Sequence, residues 1–318
     1  MFENLLVPLD GSTLAECVLP HAKALAKQNA SQVTLIRVLD RCQLSNDQDS
    51  VDPLDWQIRK AEASTYLEQV NAQLAEAGIL ANTEILEGDA AESIVEYADS
   101  SNTSLILLSS HGQSGLTGWN VSSVVQKVIQ RARTSILITR AYLPSSSTVE
   151  DIHYQRILVP LDGSQRAESI LPAAMALARS PDTEVVVAHV LRQPEMPSRT
   201  LLTQDDTKLI EHFTERWRSE GEKYLAELKN RQVFNFETRL LTSPSVVSAL
   251  YELIESEAID LVLFSAHGFT GDAWWPYGST VISFIAYGTT PLFIFQDLQK
   301  NRILPSQAEM TAKELGGR

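Results

Sequence analysis

The segments Ser109-Ser110-His111-Gly112-Gln113-Ser114-Gly115 and Ser265-Ala266-His267-Gly268-Phe269-Thr270-Gly271 repeat one arrangement: a serine, a histidine two residues on, and glycines three and six residues on. Serine near histidine invites nucleophilic chemistry, but a triad needs an oriented base and an oxyanion hole brought together in space. Neither serine sits in a Gly-x-Ser-x-Gly elbow. The histidines therefore read as loop braces, and no catalytic residue is assigned.

Binding an anion is the chemistry that suits these types better. Small residues let the backbone approach a ligand, and a helix starting beside them offers unpaired N–H groups and a positive dipole end. Gly278, Ser279 and Thr280 open such a helix in the second half, and Ser122 and Ser123 stand in the same place in the first. A nucleotide phosphate is the natural anion. The plain alternative is that these hydroxyls are N-caps.

A second recurrent turn precedes each loop. Leu5–Ala26 reads LLVPLDGSTLAECVLPHAKALA and Ile157–Ala178 reads ILVPLDGSQRAESILPAAMALA, so the chain is a duplication and each copy is long enough for its own core. Short β-rich runs alternate with amphipathic stretches such as Trp56–Ala77 and Thr214–Lys229. The first copy's strands are expected at Leu5–Leu9, Val33–Val38, Thr83–Leu86, Leu105–Ser109 and Ile136–Thr139. The second copy's are expected at Ile157–Leu161, Glu184–Val190, Phe236–Leu241, Leu261–Ser265 and Leu292–Phe295. Runs such as LILLS and LVLFS are apolar on both faces, as strands buried under helices on either side of a parallel sheet must be.

The fold class is thus α/β, with two tandem doubly wound five-stranded parallel-sheet domains, Rossmann-like, in the order 3-2-1-4-5. In that order the loops after strands one and four face one crevice, where the winding reverses and ligands bind. Asp10 and Asp162, in the first of these turns, either line the ligand or accept hydrogen bonds from the following helix. The expected boundaries are 1–141 for domain one, 142–155 for a Ser-rich linker, 156–297 for domain two and 298–318 for a polar tail.

Composition narrows the partners. The chain has 318 residues and a formal net charge of −14, which opposes a nucleic-acid backbone or an anionic membrane surface. Cys17 and Cys42 are the two cysteines, without partners at metal-ligand spacing, which fits a reduced, cytoplasmic setting. Ala273–Gln296 carries no formal charge over a length that could span a bilayer. Pro276, Gly278, Gly288 and Pro291 divide it into loop, short helix and strand, so it is read as part of a globular core.

These residues resemble the universal stress protein family in tandem form, over both halves apart from linker and tail. Its opening strand ends in Val-Asp-Gly-Ser or similar, matched here twice by VPLDGS. Its ATP-binding members carry Gly, two residues, Gly, nine residues, then Gly with Ser or Thr. The second half follows this as Ser265, Gly268, Gly278 and Ser279, and the first as Ser109, Gly112, Ser122 and Ser123, with two of three glycines replaced.

The resemblance implies an adenine nucleotide alpha hydrolase-like fold and an ATP site, the better one in the second domain. That site would take Pro160, Asp162 and Val190, with Ser265, His267, Gly268 and Gly271, and the helix start at Gly278, Ser279 and Thr280. Pro8, Asp10 and Val38, with Ser109, His111, Gly112, Gly115, Ser122 and Ser123, would form the second, weaker one. Asp10 and Asp162 would line the nucleoside end, the backbone at Val38 and Val190 would meet adenine, and a divalent ion such as Mg²⁺ would bridge the phosphates and the protein. No Lys or Arg occurs from Ser265 to Gln299, so backbone dipoles and a metal would neutralise the phosphates unaided.

Family members pair through their fifth strands, so SILIT and LFIF would pair within this chain as a pseudo-dimer, with a further homodimer left open. By the same resemblance Phe269, Trp274 and Trp275 lie in the loop over the phosphates, where they would close the site, fill it or mark a partner surface; packing under the loop is the plainer account, and Trp119, at the position equivalent to Trp275, favours it. Three functions follow: a nucleotide-binding stress-response protein in a regulatory or adaptor role, a protein-interaction module without nucleotide, and a slow ATP hydrolase. The last lacks a Walker-type Gly-Lys-Ser and an evident arginine finger.

Overall fold

The computed structural model describes residues 1–40, 53–113, 115, 121–141, 152–180, 182–192, 204–231, 234–269 and 277–297. Each half opens with a strand whose three central residues are buried, β1 (Asn4–Pro8) and, in the second half, β6 (Arg156–Pro160). The turn that follows ends in a serine N-cap. Ser12 Oγ accepts from Ala15 N to start α1 (Thr13–Glu16), and Ser164 Oγ accepts from Ala167 N to start α6 (Gln165–Glu168). A second helix carries proline at its second position, where the first turn would leave an N–H unpaired in any case: α2 (Leu19–Asn29) and α7 (Leu171–Leu177).

The remaining elements of the first half are β2 (Gln32–Leu39), α3 (Pro53–Glu76), β3 (Ala81–Glu87), α4 (Ala90–Ser100), β4 (Leu105–Ser109), α5 (Ser123–Arg131) and β5 (Ser135–Thr139). Those of the second are β7 (Glu184–Arg192), α8 (Gln204–Arg231), β8 (Glu237–Ser243), α9 (Val246–Ser256), β9 (Leu261–Ser265), α10 (Ser279–Tyr287) and β10 (Leu292–Phe295). Strand limits fall within two residues of those expected from the sequence. The uncharged stretch from Ala273 holds α10 and β10, and among the described residues no helix is long and apolar enough to cross a membrane.

The strands form one ten-stranded sheet in the order β3-β2-β1-β4-β5-β10-β9-β6-β7-β8, which is 3-2-1-4-5 in each half. Pairing is parallel within a half and antiparallel at the seam, where Leu292, Phe293 and Ile294 face Ile138, Leu137 and Ile136. The seam removes two strand edges that would otherwise template association. One apolar layer lies on each face, and both run across the two halves. Phe2 meets Phe293 edge-on at 5.6 Å across the seam, and burying a ring of that size contributes roughly 2–3 kcal/mol.

The expected linker is partly structural. Tyr154 is buried, and its hydroxyl lies 2.7 Å from Nδ1 of buried His21, which ties the segment leading into β6 to α2. Gln28 Nε2 donates to Leu177 O at 2.9 Å, joining α2 to α7. Residues 142–151 of that linker and the expected tail at 298–318 lie outside the described residues, as does Cys42.

Candidate functional site

The two recurrent turns meet through an aspartate. In the second half, Gly163 adopts φ +88°, which bends the chain so that Asp162 Oδ1 accepts from Ser164 N at 2.9 Å. Asp162 Oδ2 reaches across to the loop after β9 and accepts from Phe269 N at 2.6 Å. Gly268 makes this approach passable, since a Cβ there would collide with the Asp162 carboxylate. The first half repeats the device: Asp10 accepts from Ser12 N at 2.9 Å, from Ser12 Oγ at 2.6 Å and from Gln113 N at 2.5 Å. Gly112 stands where a Cβ would collide with Asp10.

A Cβ at Gly112 or Gly268 would meet the facing aspartate carboxylate, so the contact between turn and loop is by itself a reason for glycine at both positions.

The histidines brace the loops. His267 is buried and its Nδ1 lies 2.7 Å from Asp297 Oδ1, while Arg166 Nε donates to Asp297 Oδ2 at 2.9 Å. Burial opposes ionisation of Asp297, but the hydrogen bonds and charges of His267 and Arg166 outweigh it, and its pKa is lowered. An ionised carboxylate only accepts, so Nδ1 carries the proton. His111, also buried, instead has Ser110 Oγ 3.1 Å from its Nδ1. The serines turn back towards the first helix: Ser109 Oγ lies 2.7 Å from Leu14 O and from His111 O, and Ser265 Oγ lies 3.4 Å from Ser169 Oγ. Cys17 Sγ, 3.3 Å from Ser109 Oγ and 3.2 Å from Thr139 Oγ1, has its pKa raised by burial.

Between the turns of the second half lies a cavity of about 180 Å³. Pro160, Asp162, Val190, Ser265, His267, Gly268, Gly278, Ser279 and Thr280 all line it, so the structure brings these sequence-selected residues together. Gly271 lies outside the described residues. The sequence reading missed the apolar floor of Val246 and Leu250 from α9 and Phe264 from β9, with Leu161, Ala167, Ala188, Ala266 and Val281 around it. Inward-facing apolar positions on an amphipathic helix look the same whether they cover a core or a cavity.

The start of α10 differs from that of α5. Gly278, at φ −67° and ψ 158°, caps α10 without a side-chain hydrogen bond. Ser122, at φ −68° and ψ 163°, caps α5 by accepting from Val125 N at 3.4 Å. Otherwise the two positions match, with Gly278 N donating to Ala266 O and Ser122 N to Ser110 O, each at 2.8 Å. Those dihedrals suit any residue, and a Cβ on Gly278 would meet only Ala266 O, at 3.7 Å. With glycine at the cap no hydroxyl accepts a first-turn N–H of α10, and Ser279, Thr280 and Val281 of that turn line the cavity.

In the first half, Pro8 ends β1, Val38 lies in β2, Ser123 begins α5, and Gly115 has φ +73°. Arg37 covers the turn: a Cβ on Gly11 would come 3.1 Å from its Nη2, and the guanidinium sits 5.3 Å from the Tyr66 ring centroid. His189 takes the corresponding place beside Tyr224, ring centroids 5.3 Å apart, with its Nδ1 2.8 Å from Leu161 O. Phe269 is 83% exposed, which corrects its expected packing under the loop. Trp119, Trp274 and Trp275 lie outside the described residues.

A model of the universal stress protein family matches residues 1–140 and again 153–296. The universal stress protein YxiE of Bacillus subtilis is 29% identical over 149 residues, covering 44% of this chain and all of that protein. A universal stress protein of Methanocaldococcus jannaschii is 28% identical over 141 residues, covering 44% of this chain and 83% of its own. A solved universal stress protein from Archaeoglobus fulgidus matches 94% of this chain and 100% of its own at a TM-score of 0.63 and 19% identity, a likeness of fold.

Proposed function

The chain belongs to the universal stress protein family, with two such domains in tandem, and from that premise we propose that it binds an adenine nucleotide, ATP, in its second domain and acts as a regulatory or adaptor stress-response protein in the cytoplasm. The observation that carries this is the glycine-capped start of α10 opening on a cavity with an apolar floor. Val190, Val246, Leu250 and Phe264 supply a surface for a heterocyclic base, and the uncapped amides supply partial positive charge for a phosphate. In the first domain the Ser122 hydroxyl already takes an amide at the same place, so binding there is weaker.

The fit of Mg²⁺ is poorer. Among the described residues no group of three or more His, Cys, Asp or Glu is placed to hold a metal, and both Asp162 oxygens already accept backbone N–H groups. Any Mg²⁺ would accompany the phosphates and not reside in the protein. No step of catalysis is assigned, because His267 is committed to Asp297 and Ser265 faces Ser169.

Calorimetric titration of the full chain with ATP and Mg²⁺ tests the reading. Saturable binding below millimolar ligand, weakened by Gly278→Val, is expected; none at millimolar ATP overturns it. A second reading, an interaction module without ligand, draws on the exposed Phe269 ring beside the cavity. It would be chosen if mass spectrometry of the purified protein releases no nucleotide and the titration is flat.

A further inference from the structure

The α10 helix is about 13 Å long, so its first and last turns move as one rigid piece. Its last turn contains no basic residue, whereas α5 carries Arg131 in its own last turn. The missing cation comes from the other domain. Arg140, directly after β5, crosses the seam and is 2% exposed. Its Nη2 donates to Phe284 O at 2.9 Å, its Nε to Thr290 O at 3.3 Å and its Nη1 to Ile285 O at 3.5 Å. A guanidinium stays charged when buried and presents its donors as a rigid fork, matched here to carbonyls at the negative end of a helix dipole.

The residue facing this fork is adapted to it. A Cβ on Gly288 would lie 2.5 Å from Phe284 O and 3.0 Å from Arg140 Nη2. In the first half the corresponding C-cap is Ala132, with nearly the same dihedrals, and Arg131 serves that helix from within. The cross-domain grip and the glycine that admits it therefore occur together on the helix with the open N-terminus.

We propose that Arg140 is a positioning residue for the anion site of the second domain, holding the far end of α10 so that its first-turn amides face the cavity, and thereby coupling ligand affinity to the docking of the two halves. This rests on the nucleotide reading above for its ligand, but the grip itself has a separate readout. Coupling of this kind is reciprocal: whatever docking does for the ligand, the ligand does for docking.

The experiment uses the full chain as wild type, Arg140→Gln, Arg140→Lys and Gly288→Ala. Calorimetry with ATP and Mg²⁺ is paired with hydrogen exchange of the amides of residues 279–287. Arg140→Gln is expected to weaken ATP about fivefold, in the range found for residues along coupled networks, and to speed exchange in α10 while β6 and β7 stay unchanged. Arg140→Lys, which keeps the charge and one donor direction, should recover part of both losses, and Gly288→Ala should act like Arg140→Gln. Equal affinity and equal α10 exchange in Arg140→Gln and wild type would overturn the proposal. If wild type binds no ATP the nucleotide reading fails, and exchange alone decides the grip: faster in Arg140→Gln upholds it, unchanged overturns it.

Discussion

Replacing Gly278 by serine sets stability and binding against each other. The backbone at 278 already has the dihedrals of Ser122, and an added Cβ meets only Ala266 O at 3.7 Å, so serine enters without strain. Its hydroxyl is placed to accept from Val281 N as Ser122 Oγ accepts from Val125 N. Relative to glycine, such a cap is worth a few tenths of a kcal/mol, and the stiffer unfolded chain adds about 0.4–1 kcal/mol. The variant should therefore be more stable by roughly 0.5–1.5 kcal/mol. Its capped amide is lost to an anion, and a hydrogen bond to a charged group contributes about 1.5–3 kcal/mol. At about 1.4 kcal/mol per tenfold, ATP binding should weaken by one to two orders of magnitude. Urea unfolding of the free protein and calorimetric titration read the two quantities separately. A variant that is stabilised yet binds ATP within twofold of wild type would refute the argument that open amides at Gly278 hold the ligand.

Gly268→Ala should destabilise the protein by about 1–3 kcal/mol in urea, because the new methyl group displaces the Asp162 carboxylate from Phe269 N. Adding Asp162→Ala should recover part of that loss, and strictly additive effects would show that the two residues do not oppose each other. His21 gives a pH dependence. Burial lowers its pKa from 6.5 to about 4, so the unfolded chain gains a proton as pH falls through 6.5 while the folded one stays neutral. Its contribution is complete above pH 6.5 and is lost between there and about pH 4, roughly 2 kcal/mol of it by pH 5. Urea midpoints of wild type and His21→Gln at pH 7 and pH 5 should converge accordingly; parallel pH dependence would contradict the assignment.

Much of the fold could be read directly because duplication shows itself: VPLDGS recurs at Val7 and Val159, and each recurrence marks the same strand end and helix start. The apolar runs LILLS and LVLFS located the central strands, since strands buried on both faces tolerate no polar alternation. The seam was less visible. Nothing in SILIT or LFIF says that the two lie side by side, and the pairing came from family resemblance. The glycines of the site were visible as types and spacings but not as causes. Gly268 does line the cavity, but nothing in the sequence hints that Asp162, far away in the chain, occupies the space a Cβ there would need. Val246 and Leu250 were hidden among ordinary inner-face positions of α9. Arg140 gave no sign at all, because a lone arginine after a strand acquires meaning only from the carbonyls it reaches in the other domain.

Separate polypeptides that meet edge to edge assemble by chance into like and unlike pairs. Joining both partners in one chain makes the unlike pair obligatory and fixes its stoichiometry at every expression level, since the second strand is always present at the high local concentration a tether provides. Under that arrangement one half is released from the demand to recognise a ligand, provided it still completes the sheet. On the proposed reading, in which the second half alone holds the ligand, the serine at the start of α5 and the arginine that leaves β5 to reach α10 are the marks such a division of labour would leave.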